Sequence, residues 1–196
     1  MDSTVRPVLA TMSTRQSELL SRLIALFLDE GFRQFTLAEL AERLSCSKST
    51  LYAFGHSKEQ ATVNVVVEFF RAATESVETA TAEHSEPAER LVTYLRAVAA
   101  ALRPASAAFI KDLADHPATA AVYQRNTEAA AVRVGQLIEE GIAAGAFRPV
   151  HGAFVADTVA ATMRRIQTGQ VVAATRLNDA QAYDELASLV LSGVRS

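Results

Sequence analysis

The sequence predicts an all-α protein of nine helices, and three observations lead there. Apolar residues recur at i, i+3, i+4 and i+7 along most of the chain, with no strand signal between them. Alanine is abundant and favours helix, whereas eight Gly and five Pro among 196 residues are too few for a turn-rich all-β protein. The helical stretches are joined by short breaks, as in packed helical domains. An apolar content of 49% is ample for a core. One cysteine excludes an internal disulfide and fits a reducing cytosol. No stretch approaches the ~20 apolar residues of a membrane span. The N-terminus lacks the basic-then-apolar layout of a signal peptide, so a soluble cytoplasmic protein is expected.

The elements follow in order. Met1 to Met12 is a polar arm with Pro7 and Arg6, read as a plain tail. Ser13 or Thr14 caps a first helix that buries Leu19, Leu20, Leu23, Ile24 and Phe27 and stops at Gly31. Ser57 caps a long fourth helix carrying Val63, Val66, Val67 and Phe70, which decays near Glu83. Pro87 sits at the first position of a fifth helix ended by Pro104. A short sixth helix spans 105–116, and a seventh runs from about Ala118 to Ala144, closed by Gly145. The eighth is expected from His151 to Thr175, and Asp179 opens a ninth that ends near Val194. The head is expected over residues 13–60 and the body over 61–196, with the fourth helix bridging them.

Helices two and three occupy the most informative stretch, Phe35 to Lys58. Leu37, Leu40, Ala41 and Leu44 form one apolar stripe, and Thr36 with Glu39 makes a capping box at its start. Ser45, Cys46 and Ser47 break the stripe, and Leu51 and Phe54 begin a second short one. Two short helices joined by so tight a turn form a helix-turn-helix, with Ala41 small enough for close approach. Between Glu42 and Glu59 there is no acidic residue, while Arg43, Lys48, His56 and Lys58 stand among many hydroxyls. A surface that meets phosphate oxygens needs such cations and donors. Residues 1–60 hold seven Lys/Arg and seven Asp/Glu, so the net charge of −3 resides in the remainder. Affinity for a polyanion follows local contacts rather than whole-chain charge.

Leu40-Ala41, Ser47-Lys48, Thr50-Leu51-Tyr52 and Ser57-Lys58-Glu59, preceded by Gly31-Phe32, resemble the DNA-binding head of the TetR family of bacterial transcriptional regulators. The close likeness covers about Arg15 to Val63. There are departures: Ser45 replaces the turn glycine, Cys46 a valine and Ser49 a glycine, while Gly55 stands where the family places phenylalanine. A residue other than glycine at position 45 is therefore expected to adopt a positive φ, at a cost of roughly 1 kcal/mol. The likeness implies a sequence-specific DNA-binding regulator, with repression as the expected mode. Lys48, Ser49, Thr50 and Ala53 are expected to face bases. Thr36, Ser47, Tyr52, His56 and Lys58 are expected to hold the backbone. Lys58 lies in the first turn of a helix, where a cation is unfavourable unless a phosphate sits beside it.

One recognition helix reads too few base pairs for useful specificity, so a homodimer on a pseudo-palindromic double-stranded operator is expected. The dimer stripes are Phe154, Val155, Val159, Thr162, Met163 and Ile166 on the eighth helix and Tyr183, Leu186, Leu189 and Val190 on the ninth. In the family this pair packs on its symmetry mate. The likeness also implies a small-molecule effector in the helical body, with Phe69, Phe70, Tyr94, Val98, Phe109, Leu113, Tyr123, Met163 and Gln167 as expected walls. No cofactor is expected. No nucleophile–base pair or phosphate loop occurs, so an enzyme is not expected. Two alternatives are a ligand-binding helical protein whose head no longer binds DNA, and a metal-assisted enzyme at Asp112, Asp115 and His116, whose i, i+3, i+4 spacing a metal can use. The plainer reading of that trio is a solvated helix end. For Cys46 it is packing rather than redox chemistry, and for Gly141 and Gly145 it is fraying and a C-cap.

Overall fold

The computed structural model describes residues 12–195, so the arm containing Arg6 lies outside the described residues. Ten α-helices are present: α1 (Thr14–Glu30), α2 (Leu37–Arg43), α3 (Lys48–Leu51), α4 (Lys58–Ala82), α5 (Pro87–Leu102), α6 (Ala107–Asp115), α7 (Pro117–Ala143), α8 (Gly152–Gln167), α9 (Gln170–Thr175) and α10 (Asp179–Val194). Among the described residues there is no strand beyond an isolated antiparallel bridge between Phe147 and Arg195. The expected count of nine is corrected to ten because the eighth helix is broken. Its first part ends where Thr168 N–H donates to Arg164 O and Gly169 N–H to Ile166 O. Gly169 then takes φ 72°, and the second part stops at Arg176 with φ 65°. Capping boxes open α1 at Ser13 with Gln16 and α10 at Asn178 with Gln181.

The chain forms two compact units, one of residues 12–70 and 105–119, the other of 71–104 and 120–195. The first therefore extends past residue 60 and includes α6. Its core is aromatic: Phe32 lies against Phe27, Phe109 meets Phe32 and Phe69 edge-on, and Phe69 contacts Phe70. Polar groups dock α6 as firmly. Ser106 N–H donates to Leu28 O (2.8 Å), and Asp112 Oδ2 accepts from the N–H groups of Phe32 (2.7 Å) and Arg33 (2.8 Å). Asp115 pairs with Arg33 (3.0 Å) and Lys111 (2.7 Å). The expected solvated helix end is thus corrected: Asp112 caps the loop after α1 and Asp115 is ion-paired. His116 places Nε2 3.5 Å from Glu59 and leaves a buried Nδ1 without a partner. Among the described residues, no three His, Cys, Asp or Glu side chains stand together as a metal site.

Gly55 explains why the phenylalanine of the family pattern is absent here. Its φ of 165° is ordinary extended backbone, but a Cβ on it would lie 2.4 Å from Ala61 N and 2.8 Å from Ala61 Cα. The chain passes the first turn of α4 too closely for any side chain. Phe54, 1% exposed, supplies the aromatic packing one residue earlier.

The second unit is built around Leu91, Leu95, Val134, Leu137, Ile138 and Phe147. Gly141 is not a frayed position: a Cβ there would fall 2.2 Å from the Phe147 ring, so this glycine is the seat for a buried phenylalanine. Gly145, with φ 74°, is the C-cap residue. On the surface, Glu140 joins Arg90 and Arg133 (3.2 Å), and Arg133 reaches Glu78 (3.1 Å). Partial burial would raise the Glu140 carboxyl, but hydrogen bonds from Arg90 and Arg133 outweigh it and hold the group below the usual carboxylate range.

Two outcomes are expected. Gly55→Ala forces the Ala61 backbone to move and should destabilise by about 2 kcal/mol, read as a lowered thermal midpoint. Glu140 is depressed in the folded state, so its stabilisation is present above its unfolded value and disappears as pH falls through the lower folded one. Urea midpoints of Glu140→Gln should lie below those of the parent at neutral pH and converge with them below about pH 4.

Candidate nucleic-acid interface

The interface begins at the start of α2. Glu39 N–H donates to Thr36 Oγ1 (3.2 Å) and Thr36 N–H to Glu39 Oε2 (2.7 Å), which closes the capping box. At the other end the helix stops in a Schellman motif. Ser45 N–H donates to Glu42 O (3.0 Å) and Cys46 N–H to Ala41 O (2.9 Å). Ser45 holds φ 51°, as its place at the turn glycine requires. Ser47 then caps α3, its Oγ accepting from Thr50 N–H (3.2 Å) and lying 2.7 Å from Ser49 Oγ and 2.8 Å from Thr50 Oγ1. A 3-10 turn, Tyr52–Phe54, continues α3.

Leu51 and Phe54, each 1% exposed, anchor this short element three residues apart, and the opposite side faces solvent. Thr36, Ser47, Lys48, Ser49, Tyr52, Ala53 and His56 are exposed; Thr50 and Lys58 are half-buried. Tyr52 is 46% exposed although it is aromatic. The hydroxyls of Thr36 and Ser47 accept backbone N–H groups at helix starts, and Ser47 Oγ also hydrogen-bonds the hydroxyls of Ser49 and Thr50.

Lys58 departs from the expectation of a free cation beside the helix start. Its Nζ donates to Arg33 O (3.0 Å). Burial lowers its pKa, while Asp112 and Glu39 act in the opposite sense. Arg43, in the acid-free window, is likewise occupied: it pairs with Glu30 (2.8 Å) and lies over the Phe35 ring at 5.6 Å. Two cations that the sequence did not single out, Arg15 and Arg22 of α1, line a cleft beside Ser45, Cys46 and Thr50. Their separation by two helical turns was the available signal. Burial raises the Cys46 thiol above its ordinary value, and Arg22 acts in the opposite sense.

The expected effector walls divide between the units. Phe69, Phe70, Phe109 and Leu113 belong to the core of the first, with Phe109 and Leu113 almost fully buried. Tyr94, Val98, Tyr123, Met163 and Gln167 belong to the second. There Gln167 Nε2 donates to Thr127 Oγ1 (2.8 Å) and lies 3.4 Å from Tyr183 Oη, all three side chains being buried. Burial pushes the Tyr183 phenol up to about 12, against the lowering effect of Gln167, so it stays neutral and accepts from the Gln167 amide.

The expected dimer stripes also divide. Val159, Met163, Ile166, Tyr183, Leu186 and Val190 are buried within one chain and pack into its core. Val155 and Thr162 are half-buried, and Phe154 and Leu189 stand 70% and 71% exposed. The exposed pair lies on an open, largely apolar groove of about 720 Å³ between α8 and α10.

Ser45→Gly tests the turn. Relief of the left-handed strain exceeds the added chain entropy, so a gain of about 0.5–1 kcal/mol in urea unfolding is expected, with the circular dichroism spectrum unchanged.

No family model matches the chain. It is 27% identical, over 93% of its length and 91% of the relative's, to the HTH-type transcriptional repressor KstR2 of Mycolicibacterium smegmatis. The fold is similar to that of the ketosteroid transcriptional regulator KstR2 of Mycobacterium tuberculosis, with a TM-score of 0.58, 22% identity, and coverage of 95% of this chain and 97% of that one. It is also similar to a TetR transcription regulator from Haloarcula marismortui, with a TM-score of 0.70, 15% identity, and coverage of 94% and 100%. The Leu40–Glu59 motif is seated on a helix-turn-helix, and the chain shares its fold with these regulators, the TetR transcription regulator among them.

Proposed function

We propose that the chain is a homodimeric repressor, acting in the cytoplasm on a pseudo-palindromic operator and released by an apolar small molecule. The observation that carries the reading is the two-sided character of α3. Leu51 and Phe54 are locked into the core while Lys48, Ser49, Tyr52 and Ala53 are exposed on the other side. In this reading Lys48, Ser49, Thr50 and Ala53 meet base edges, and Ser47, Tyr52 and His56 hold phosphates and sugars. Lys58 acts instead by fixing the Arg33 carbonyl, and Thr36 by starting α2.

Dimerisation is supported by Phe154 and Leu189, two large apolar side chains left in water on the rim of one groove. A second copy across α8 and α10 covers them and brings a second α3 to the duplex. The effector reading is supported by the Thr127, Gln167 and Tyr183 polar group, set in an otherwise apolar core where it can orient a ligand. The names of similar proteins concern ketosteroid and fatty acid metabolism regulation, which suits an apolar ligand. Binding that favours the off-DNA conformer by ~3 kcal/mol weakens operator affinity about 150-fold.

Selection of bound genomic fragments followed by gel shift tests the reading. Lys48→Ala should weaken binding to the selected fragment by about 1–3 kcal/mol, roughly five- to 150-fold. Leu189→Arg should sediment as a monomer and lose operator binding at the parent's working concentration. A parent protein that retains no fragment, or a Leu189→Arg variant that stays dimeric, would overturn the respective part.

A further inference from the structure

We infer that the phosphate-binding surface extends from the helix-turn-helix onto α1, with Arg15 and Arg22 as two further DNA-backbone contacts. This inference rests on the DNA-binding reading above. It starts from how the cations of the first unit are used. Arg33 pairs with Asp115, Arg43 with Glu30, Lys111 with Asp115, and Lys58 donates to a backbone carbonyl. Among the described residues of that unit, Arg15, Arg22 and Lys48 are the Lys and Arg side chains left with no such partner, and all three are exposed.

These three are also grouped. Arg15 and Arg22 line the same cleft as Ser45, Ser47 and Thr50, directly beside the turn that presents Lys48. Arg22 is near enough to Cys46 to lower its thiol pKa. Seven residues separate the two arginines, so they lie on one face of α1 about 10 Å apart along its axis. That matches the rise of about three nucleotides along one strand at ~3.4 Å each. Buried Leu19 sits between them in sequence and fixes that part of α1 against the core. Glu18 and Glu42 line the cleft too, and neither comes within ion-pair distance of these guanidiniums.

An unpaired guanidinium is the group best suited to a phosphate, because its fork of donors is rigid and weakly hydrated. With α3 in a major groove, Arg15 and Arg22 straddle the adjoining backbone and fix the register of the head, contributing no sequence preference of their own. They are positioning residues for operator recognition.

The test is the salt dependence of binding to a synthetic B-form duplex of arbitrary sequence, measured by fluorescence anisotropy on the full chain. Arg15→Gln and Arg22→Gln are each expected to reduce the slope of log K against log salt by about 0.9, and Arg15→Lys and Arg22→Lys to keep it. Thermal midpoints near the parent's show that the variants are folded, as expected for exposed side chains. Unchanged slopes in both glutamine variants, with a reduced slope in Lys48→Gln, overturn this inference and leave the DNA-binding reading standing. A parent protein with no salt-dependent binding overturns both.

Discussion

The turn between α2 and α3 is where the backbone is most constrained, and the recognition surface depends on it. Three residues must reverse the chain while every freed N–H group finds an acceptor. The Schellman bonds from Ser45 and Cys46 and the Ser47 cap meet that requirement with no water needed. The geometry demands a left-handed residue, and Ser45 adopts it at a cost of about 1 kcal/mol. Once the turn is set, Leu51 and Phe54 enter the core. Lys48, Ser49, Tyr52 and Ala53 then have nowhere to point except outward. A helix of four residues has little intrinsic stability, so its placement comes from these two anchors and this turn.

Charge in the first unit is arranged around that surface. Acidic residues are missing from the recognition stretch, and those elsewhere neutralise cations that do not belong to it. Asp112 accepts two backbone N–H groups at the end of α1, Asp115 holds Arg33 and Lys111, and Glu30 holds Arg43. The same bonds fasten α6, although some eighty residues of chain separate it from α1. Among its described residues, a head that looks neutral by composition therefore keeps free cations along one cleft and one helix.

In the second unit, the division between packed and exposed apolar residues separates stability from association. Six of ten apolar stripe residues on α8 and α10 close the core of a single chain. Phe154 and Leu189 gain nothing from that core, since more than two thirds of each side chain remains in water. In the proposed dimer, burying them against a second copy recovers the hydrophobic free energy that the monomer leaves unused. The Gln167 amide shows the opposite case. Left unpaired among apolar side chains it would be costly, but Thr127 and Tyr183 satisfy it.

Local chemistry in the sequence determined the helical class, nearly all helix boundaries and the Thr36–Glu39 capping box, while the positive φ at position 45 was implied by the resemblance to a family with glycine there. The capping box follows from a few neighbouring residues, a hydroxyl three positions before a carboxylate. Tertiary structure alone decided the break at Gly169, the need for glycine at 55 and 141, and the binding of α6 to the first unit. The glycines at 55 and 141 are set by how closely the chain folds back on residues six positions on, and α6 by contacts some eighty residues apart, neither of which periodicity encodes. The same limit applies to the site: the sequence identified Lys48 and Tyr52 as presented by the turn, but it did not distinguish Lys58 and Arg43, occupied within the fold, from Arg15 and Arg22, left free. Unlike an apolar stripe, a cation's partner is fixed only by three-dimensional proximity.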